Sequence, residues 1–364
     1  MSGSHAGGPL GGSRGGSGAR PPLAASGGRR DLPMGCGQPD RLPLDPPGDA
    51  PASADDRGRL EPGDRESRLI GLEEAAAMVE DGMTVGLSGF AHQNPPMAIV
   101  RALIRRGVRG LTLVCGPTAG FETDLLVGSG CVHKVVAAGV AMEQVAAIAP
   151  AFRHRYELGE VQMWECDECI WYVGLQAAAW GVPYLLWPGG VGSSLPELNP
   201  DLVEVREGDR TFLRVPPIRP DIVFIHAAEA DRFGNVRECP DAYLGRSFAE
   251  RALAAACAGP VVASVERVID NEEVVAAPEW TLVHGAWVVE APWGAHPGGV
   301  SGRYVPDLRH QAAYARAARA LAGGDPCPYA RYIAQWIDAT ARAGTYIEAV
   351  GREALRGLQT VHHS

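Results

Sequence analysis

The chain is almost without lysine: Lys134 is the only one in 364 residues. That scarcity removes several chemistries. A phosphate-binding P-loop requires Gly-Lys-Ser or Gly-Lys-Thr, and neither tripeptide occurs. A Schiff-base or pyridoxal-phosphate enzyme would have to use Lys134, which sits in the strand-like His133-Lys134-Val135-Val136 without a Gly- or Ser-rich setting. Positive charge is short overall. A net charge of −10 and a pI near 5.5 argue against nucleic acid or an anionic membrane as partner, because both need a basic face. No run of about 18 apolar residues is present to span a bilayer. No Gly-x-Ser-x-Gly elbow presents a serine nucleophile. The eight cysteines are scattered without a secretory pattern, which predicts reduced thiols and a cytoplasmic location. Cys166 and Cys169 have C-x-x-C spacing but no second pair, so no metal is expected.

What is present is a large apolar fraction, 46%, enough for a sizeable core. Residues 1–66 stand apart, rich in Gly, Pro and Ser with isolated hydrophobics, and read as a disordered tail. From Leu69 short elements alternate. Apolar strands are expected at Thr84 to Leu87, Leu111 to Cys115, Lys134 to Ala138, Val161 to Glu165, Tyr184 to Trp187, Asp221 to Ala227, Val261 to Val265 and Trp287 to Ala291. Helices lie between them, and Val203 to Val215 reads as a hairpin. Strands that are apolar throughout and separated by helices predict an α/β fold: an open, mostly parallel twisted sheet with helices on both faces. That domain is expected over 67–306, with a helical C-terminal extension over 307–364 packing on it.

In such sheets ligands sit at the carboxyl ends of the strands. The loops there are Ser88-Gly89-Phe90, Cys115-Gly116-Pro117, Glu165 to Glu168, Gly189 to Ser194 and Pro292 to Gly298. Ser88-Gly89 admits close approach to the backbone. Asn94 is placed to cap the following helix, with Pro95 or Pro96 in its first turn. Exposed amides at this turn suit a developing oxyanion or a phosphate. Glu168, flanked by Trp164, Ile170 and Trp171, reads as a general base raised by an apolar surround; the competing reading is a first-turn acid that complements the helix dipole. His92 is either a substrate contact or a solvated loop residue. His226, after an apolar run, reads as a core histidine, and His296, in the Trp293 to Gly298 loop, as a residue that shapes the interface rather than the chemistry.

Three segments together resemble the A subunit of family I coenzyme A transferases, the glutaconate CoA-transferase-like branch. They are Asp81 to Pro96, Ile225-His226-Ala227-Ala228-Glu229-Ala230-Asp231-Arg232-Phe233-Gly234-Asn235-Val236, and Glu290 to Pro297. The family's glycine turn is altered here: Ser88 replaces its first glycine and Asn94 a later one. The resemblance implies an active site shared with a B-type subunit in a heterodimer or heterotetramer. It also implies a coenzyme A thioester as substrate, no bound cofactor, and a nucleophilic glutamate on the B chain. Ser88, Gly89, Phe90, Gly192 and Ser193 would then bind substrate. The stretch Glu165-Cys166-Asp167-Glu168-Cys169 is also similar to the A subunit of the steroid ring-opening CoA hydrolase, where the position of Glu168 carries the chemistry. A CoA-ester hydrolase that opens a C–C bond, and a non-catalytic ligand-binding subunit, are the alternatives.

Overall fold

Seven parallel strands carry the molecule. A computed structural model of the chain describes residues 65–239, 248–341 and 345–360; the expected tail over 1–66 lies almost wholly outside the described residues. In chain order the strands are β1 (Thr84–Leu87), β2 (Leu111–Cys115), β3 (Thr118–Ala119), β4 (Val132–Ala137), β5 (Gly139–Val140), β6 (Gln162–Glu165), β7 (Leu185–Trp187), β8 (Val203–Glu207), β9 (Arg210–Val215), β10 (Ile222–Asp231), β11 (Val236–Arg237), β12 (Val261–Ile269), β13 (Thr281–Val283) and β14 (Trp287–Glu290). The parallel order is β14-β12-β10-β1-β2-β4-β6, with β11 and β13 added antiparallel beyond the end of β10. The apolar runs of β1, β2, β10 and β12 are largely buried, with all ten residues of β10 inside, whereas β6 at the sheet's edge is mostly uncovered.

The helices are α1 (Leu72–Ala77), α2 (Met97–Arg106), α3 (Phe121–Gly128), α4 (Pro150–Glu157), α5 (Glu168–Trp180), α6 (Leu195–Leu198), α7 (Phe248–Ala256), α8 (Asn271–Ala276), α9 (Leu308–Ala322), α10 (Cys327–Ile333), α11 (Thr345–Val350) and α12 (Arg352–Arg356), with a π turn over Ala334–Asp338 after α10. The predicted helix over Ala242 to Ala258 is described only from Phe248; its first residues lie outside the described ones. Two clusters of buried side chains flank the sheet. One joins α2 and α3 to Tyr314 and Tyr332 of α9 and α10, and the other joins Ile170 and Trp171 of α5 to Ala249 and Leu253 of α7. This is the α/β sheet covered on both faces that the alternation predicts.

One strand departs from expectation. Tyr184 to Trp187 reads as a sheet strand, but β7 pairs antiparallel with β9 in a separate three-stranded sheet with β8. The run is three residues long and is ended by Pro188-Gly189-Gly190. Leu186 is 37% exposed there, so the run never acquires the two covered faces of a central strand.

The strand order supplies what periodicity cannot. From β1 the chain winds outward through β2, β4 and β6, and β10, β12 and β14 extend the sheet on the opposite side. The order therefore reverses between β1 and β10. Their carboxyl ends form the topological switch point where doubly wound sheets hold ligands.

Candidate active site at the switch point

The corner after β1 is assembled from backbone. Ser88 donates its amide to Phe224 O on β10 at 2.9 Å; its hydroxyl accepts from His226 N and donates to Asn94 O, each at 3.1 Å. Fully buried, Ser88 joins the two strands at the switch and offers no group outward. Phe90 and Gln93 exchange amides and carbonyls at 3.0 Å, closing a tight loop. Ala91 within it and Asn94 just after it hold φ of 56° and 53°, left-handed values that non-glycine residues adopt rarely. Between these anchored residues Gly89 sits at φ 124°, and its amide has no hydrogen-bond partner among the described residues. The run of exposed amides expected here is not found: Ser88, Gly89 and His92 are buried, and most amides of the turn are taken up by the chain itself, that of Gly89 being one with no partner among the described residues.

The corner after β2 presses on it. A Cβ placed on Gly116 would stand 1.9 Å from Gly89 O, so glycine is required for the two strand tips to meet. The Pro292 to Gly298 loop closes the other side: Asn94 N donates to Gly299 O, Gly299 N to His92 O and Ala98 N to Gly294 O. That loop is held by Glu266 on β12, whose carboxylate accepts from Trp293 N, Gly294 N and Tyr304 Oη and meets His226 Nε2 at 3.0 Å. His226 is thereby a buried, bonded core histidine, with Ser264 Oγ at its Nδ1.

Glu168 reaches the same corner. Thr118, whose carbonyl accepts from Ala91 N, donates its hydroxyl to Glu168 Oε1 at 3.2 Å. Glu168 is the first residue of α5, and the neighbouring Asp167 is the cap, accepting from Ile170 N at 2.7 Å. The apolar surround expected for Glu168 is not found. Trp164, Ile170 and Trp171 are buried in the α5–α7 cluster, while Glu168 is exposed on the helix's outer face. Glu168 stands in the first turn of α5 at the exposed end of the helix while Ile170 and Trp171 are buried in the cluster, so nearness in sequence does not make a spatial pocket.

Gly192 and Ser193 lie farther out. The Gly192 amide donates to Glu204 Oε1 and the Ser193 hydroxyl to Gly190 O, both in the exposed loop before α6. Gly190 packs over Ile170, and Asn199 Nδ2 donates to Glu165 O, so this loop borders the β6–α5 junction. Among the described residues no hydrogen bond joins it to Ser88 or Gly89. Asn94, expected as a helix cap, instead donates Nδ2 to the buried Glu238 at 2.6 Å, and the cap position of α2 is Pro96. His92 is neither solvated nor presented to the corner: it is 7% exposed, with Nε2 2.9 Å from Gln144 Oε1. Thr118, Glu238 and Gln144 carry no sequence signal and emerge only in three dimensions.

The Ile225 to Val236 segment is structural. Asp231 accepts from Phe233 N, Asn235 N, Asn235 Nδ2 and Asn271 Nδ2, which defines the turn after β10. Burial alone would raise Glu229, but Arg237, Arg267 and Arg303 hold its carboxyl below the usual range. His296, Asp307 and His310 bring ligand-type atoms within 4.8 Å of one another. Yet His296 Nδ1 meets Tyr346 Oη, His296 Nε2 meets Asp307, and His310 Nε2 meets Tyr332 Oη, with the Arg101 guanidinium on the His296 carbonyl. This cluster is a network that docks the C-terminal helices.

A cleft of about 780 Å³ lies toward the starts of the strands, lined by Thr84, Thr112, Lys134, Tyr184 and Arg214; it contains none of the predicted site residues. A smaller apolar cleft of about 350 Å³ follows α5 along Cys169, Tyr172 and Gln176, walled by Trp187 and by Ala252 and Ala255 of α7. The seven described cysteines are free thiols, Cys166 buried and Cys169 exposed.

The chain is similar to known proteins in sequence and fold. Residues 70–288 match the family model described as coenzyme A transferase. The IpdA subunit of the cholesterol ring-cleaving hydrolase of Mycobacterium tuberculosis is 34% identical over 265 residues, covering 69% of this chain and 88% of that protein. The A subunit of 3-oxoadipate CoA-transferase from Pseudomonas knackmussii is 32% identical over 70% of this chain and 89% of its own length. The crystal structure of glutaconate coenzyme A-transferase from Acidaminococcus fermentans superposes with a TM-score of 0.75 at 25% identity, covering 81% of this chain and 96% of that one. The chain is an enzyme subunit that belongs to the coenzyme A transferase family.

Proposed function

We propose that the chain is the A-type subunit of a heteromeric CoA-transferase that moves coenzyme A between an acyl-CoA thioester and a carboxylic acid. A B-type subunit completes the site. The single observation that carries this reading is the buried Gly89 amide at the switch point, which has no hydrogen-bond partner among the described residues while the amides of Ser88 and Phe90 on either side are anchored. A preorganised N–H aimed where charge develops on a carbonyl oxygen stabilises acyl transfer. In this reading a carboxylate of the partner attacks the thioester carbon, the developing oxyanion takes the Gly89 amide, and CoA leaves as thiolate. The thiolate then attacks the partner's side of the mixed anhydride and releases the first acid. The second acid runs the same steps in reverse. The apolar cleft along α5 is suited to the acyl chain, and Gly192 and Ser193 are proposed to contact substrate from the exposed loop before α6.

The test is exchange by the co-purified pair of this chain and the B-type chain. Thioesters of acetate, 3-oxoadipate and glutaconate are offered with the labelled free acids. Label entering the thioester, with a borohydride-sensitive thioester on the partner, supports the reading. Release of free CoA to water without an acceptor acid contradicts it.

One observation favours a second reading, a hydrolase that opens a C–C bond. Glu168 is exposed at the corner and oriented by Thr118, as a general base for water attack on a ring ketone would be. Replacing Glu168 by Gln would then cost orders of magnitude in turnover while folding is kept; near-normal turnover removes Glu168 from the mechanism. The non-catalytic reading has no observation of its own. Among the described residues no helix is long and apolar enough to cross a membrane, and the acidic composition with free thiols fits a cytoplasmic enzyme.

A further inference from the structure

Lys134, the only lysine of the chain, has no part in the proposed chemistry and lines the cleft of about 780 Å³ at the starts of the strands. Thr84, on the floor of that cleft, is separated from Gly89 by β1 and its corner, roughly 16 Å of extended chain. Parallel register sets Thr84 beside Thr112 and Thr112 beside Lys134, so the three side chains stand on one face of the sheet. The next row on that face, Val114, Val136 and Trp164, is apolar and joins the buried cluster of α5. Among the described residues no helix contributes to the lining of the cleft. Its facing wall comes from the small β7-β9-β8 sheet and the connector from β9 to β10. Core packing therefore does not account for the polar row.

The charge of the cleft is opposite to that of the chain. Lys134, Arg214 and Arg219 line it against one carboxylate, Asp201, in a protein of net charge −10. The Asp201 carboxylate already accepts from Trp164 Nε1 at 2.9 Å. Arg219 donates to Ala178 O at 2.7 Å, and the Arg214 guanidinium lies 5.7 Å from the Tyr184 ring. Lys134 is half-buried, and its ammonium has no hydrogen bond or ion pair among the described residues. Such a group has given up part of its hydration without gaining a partner, a loss that a bound anion reverses. We propose that this cleft binds a small organic dianion, a phosphomonoester or a dicarboxylate, held by Lys134 and Arg214 with Arg219 at the edge. Three cations and one carboxylate leave two positive charges to be matched. A phosphomonoester carries nearly two negative charges at neutral pH. Lysine supplies a point charge and arginine a planar fork, both suited to phosphate and carboxylate oxygens. Tyr184, 44% exposed, and Pro216 give the body of the ligand an apolar wall. The volume falls within the range of small-molecule sites, roughly 300–1,000 Å³. The inference is independent of the reaction assigned to the Gly89 corner.

A single lysine makes the site directly observable. The full chain, made with lysine carrying 13C at Cε and assembled with the unlabelled partner it co-purifies with, gives one lysine side-chain resonance. Adenosine monophosphate, glutarate and uncharged adenosine are titrated in separately. A saturable shift of the Lys134 resonance is expected with the monophosphate or with glutarate, and whichever acts identifies the source of the dianion. Adenosine should leave the resonance in place. Arg214→Gln, an exposed change that keeps the reporter, should raise the dissociation constant at least tenfold. No saturable shift with either dianion, an equal shift with adenosine, or unaltered affinity in Arg214→Gln overturns the proposal. Should that variant fail to fold, Arg219→Gln is read in the same titration, with a raised or an unaltered dissociation constant as the two outcomes. Neither readout involves CoA exchange, so failure here leaves the reading of the corner untouched, and a complex without exchange leaves this site to be decided by the resonance.

Discussion

Gly116 and Gly89 meet so closely that a Cβ on the first would stand 1.9 Å from the carbonyl oxygen of the second. The contact is to backbone, which has no rotamer to swing aside. Gly116→Ala should therefore separate the tips of β1 and β2, destabilising the chain by about 1–3 kcal/mol. A displacement on the order of 1 Å at the corner should cost roughly 100-fold in turnover. Gly139→Ala, with nothing near the added methyl, is the control and should stay within about 0.5 kcal/mol. Urea unfolding and CoA exchange on both variants check this.

Thr118→Val removes the hydroxyl on Glu168 and keeps the shape of the side chain. Both partners are near the surface, so stability should move by no more than about 0.5 kcal/mol. If Glu168 takes part in chemistry, kcat should fall while the melting temperature stays. Equal loss of both places Thr118 in the scaffold alone.

Glu266 should be a costly position for its size. Its carboxylate collects donors from Trp293 N, Gly294 N and Tyr304 Oη. Glu266→Ala strands these groups at about 1–3 kcal/mol for each that finds no water. Denaturant unfolding should show a loss well beyond that of an exposed Glu→Ala change such as Glu157→Ala, where the group lost is a surface ion pair with Arg153 one helical turn away.

Stability should depend on pH from both sides. His310 is pushed down to about 3 by burial and then by His296, so it folds neutral. Its folded value lies below the unfolded one, near 6.5; its contribution is complete above about 6.5 and is lost as pH falls toward 3. Glu122 shows the opposite sign. Burial raises it to about 7, above the unfolded value of about 4.3, so stability from it falls as pH rises through that window. Melting curves should show His310→Phe flattening the acid loss and Glu122→Gln flattening the decline toward pH 7. Unchanged slopes in both variants contradict these assignments.

Much of this fold was legible because burial on two faces leaves an apolar signature. Ile222 to Ile225, Leu111 to Cys115 and Val261 to Val265 are identifiable as central strands on that ground alone. Strand order was not legible, since neighbouring parallel strands carry the same composition, and the switch between β1 and β10 follows from long-range pairing. The same limit explains β7, whose three apolar residues look like a central strand and form a hairpin sheet instead. At the site, Gly89 was legible because only glycine suits such a φ, and its function then depended on which amides the loop consumes. Thr118 was not, because it is tied to Glu168 across 50 residues by one hydroxyl. Glu168 stands out in the sequence, but its environment does not: its aromatic neighbours along the chain turn inward while it turns out.

The most direct measurement is isotope exchange by the purified two-subunit complex. The account predicts that label from a free carboxylic acid enters the acyl-CoA pool, and that Gly116→Ala abolishes this with both chains still associated. Stoichiometric hydrolysis to free CoA, or exchange indifferent to Gly116→Ala, would contradict a strand-tip corner that polarises a thioester.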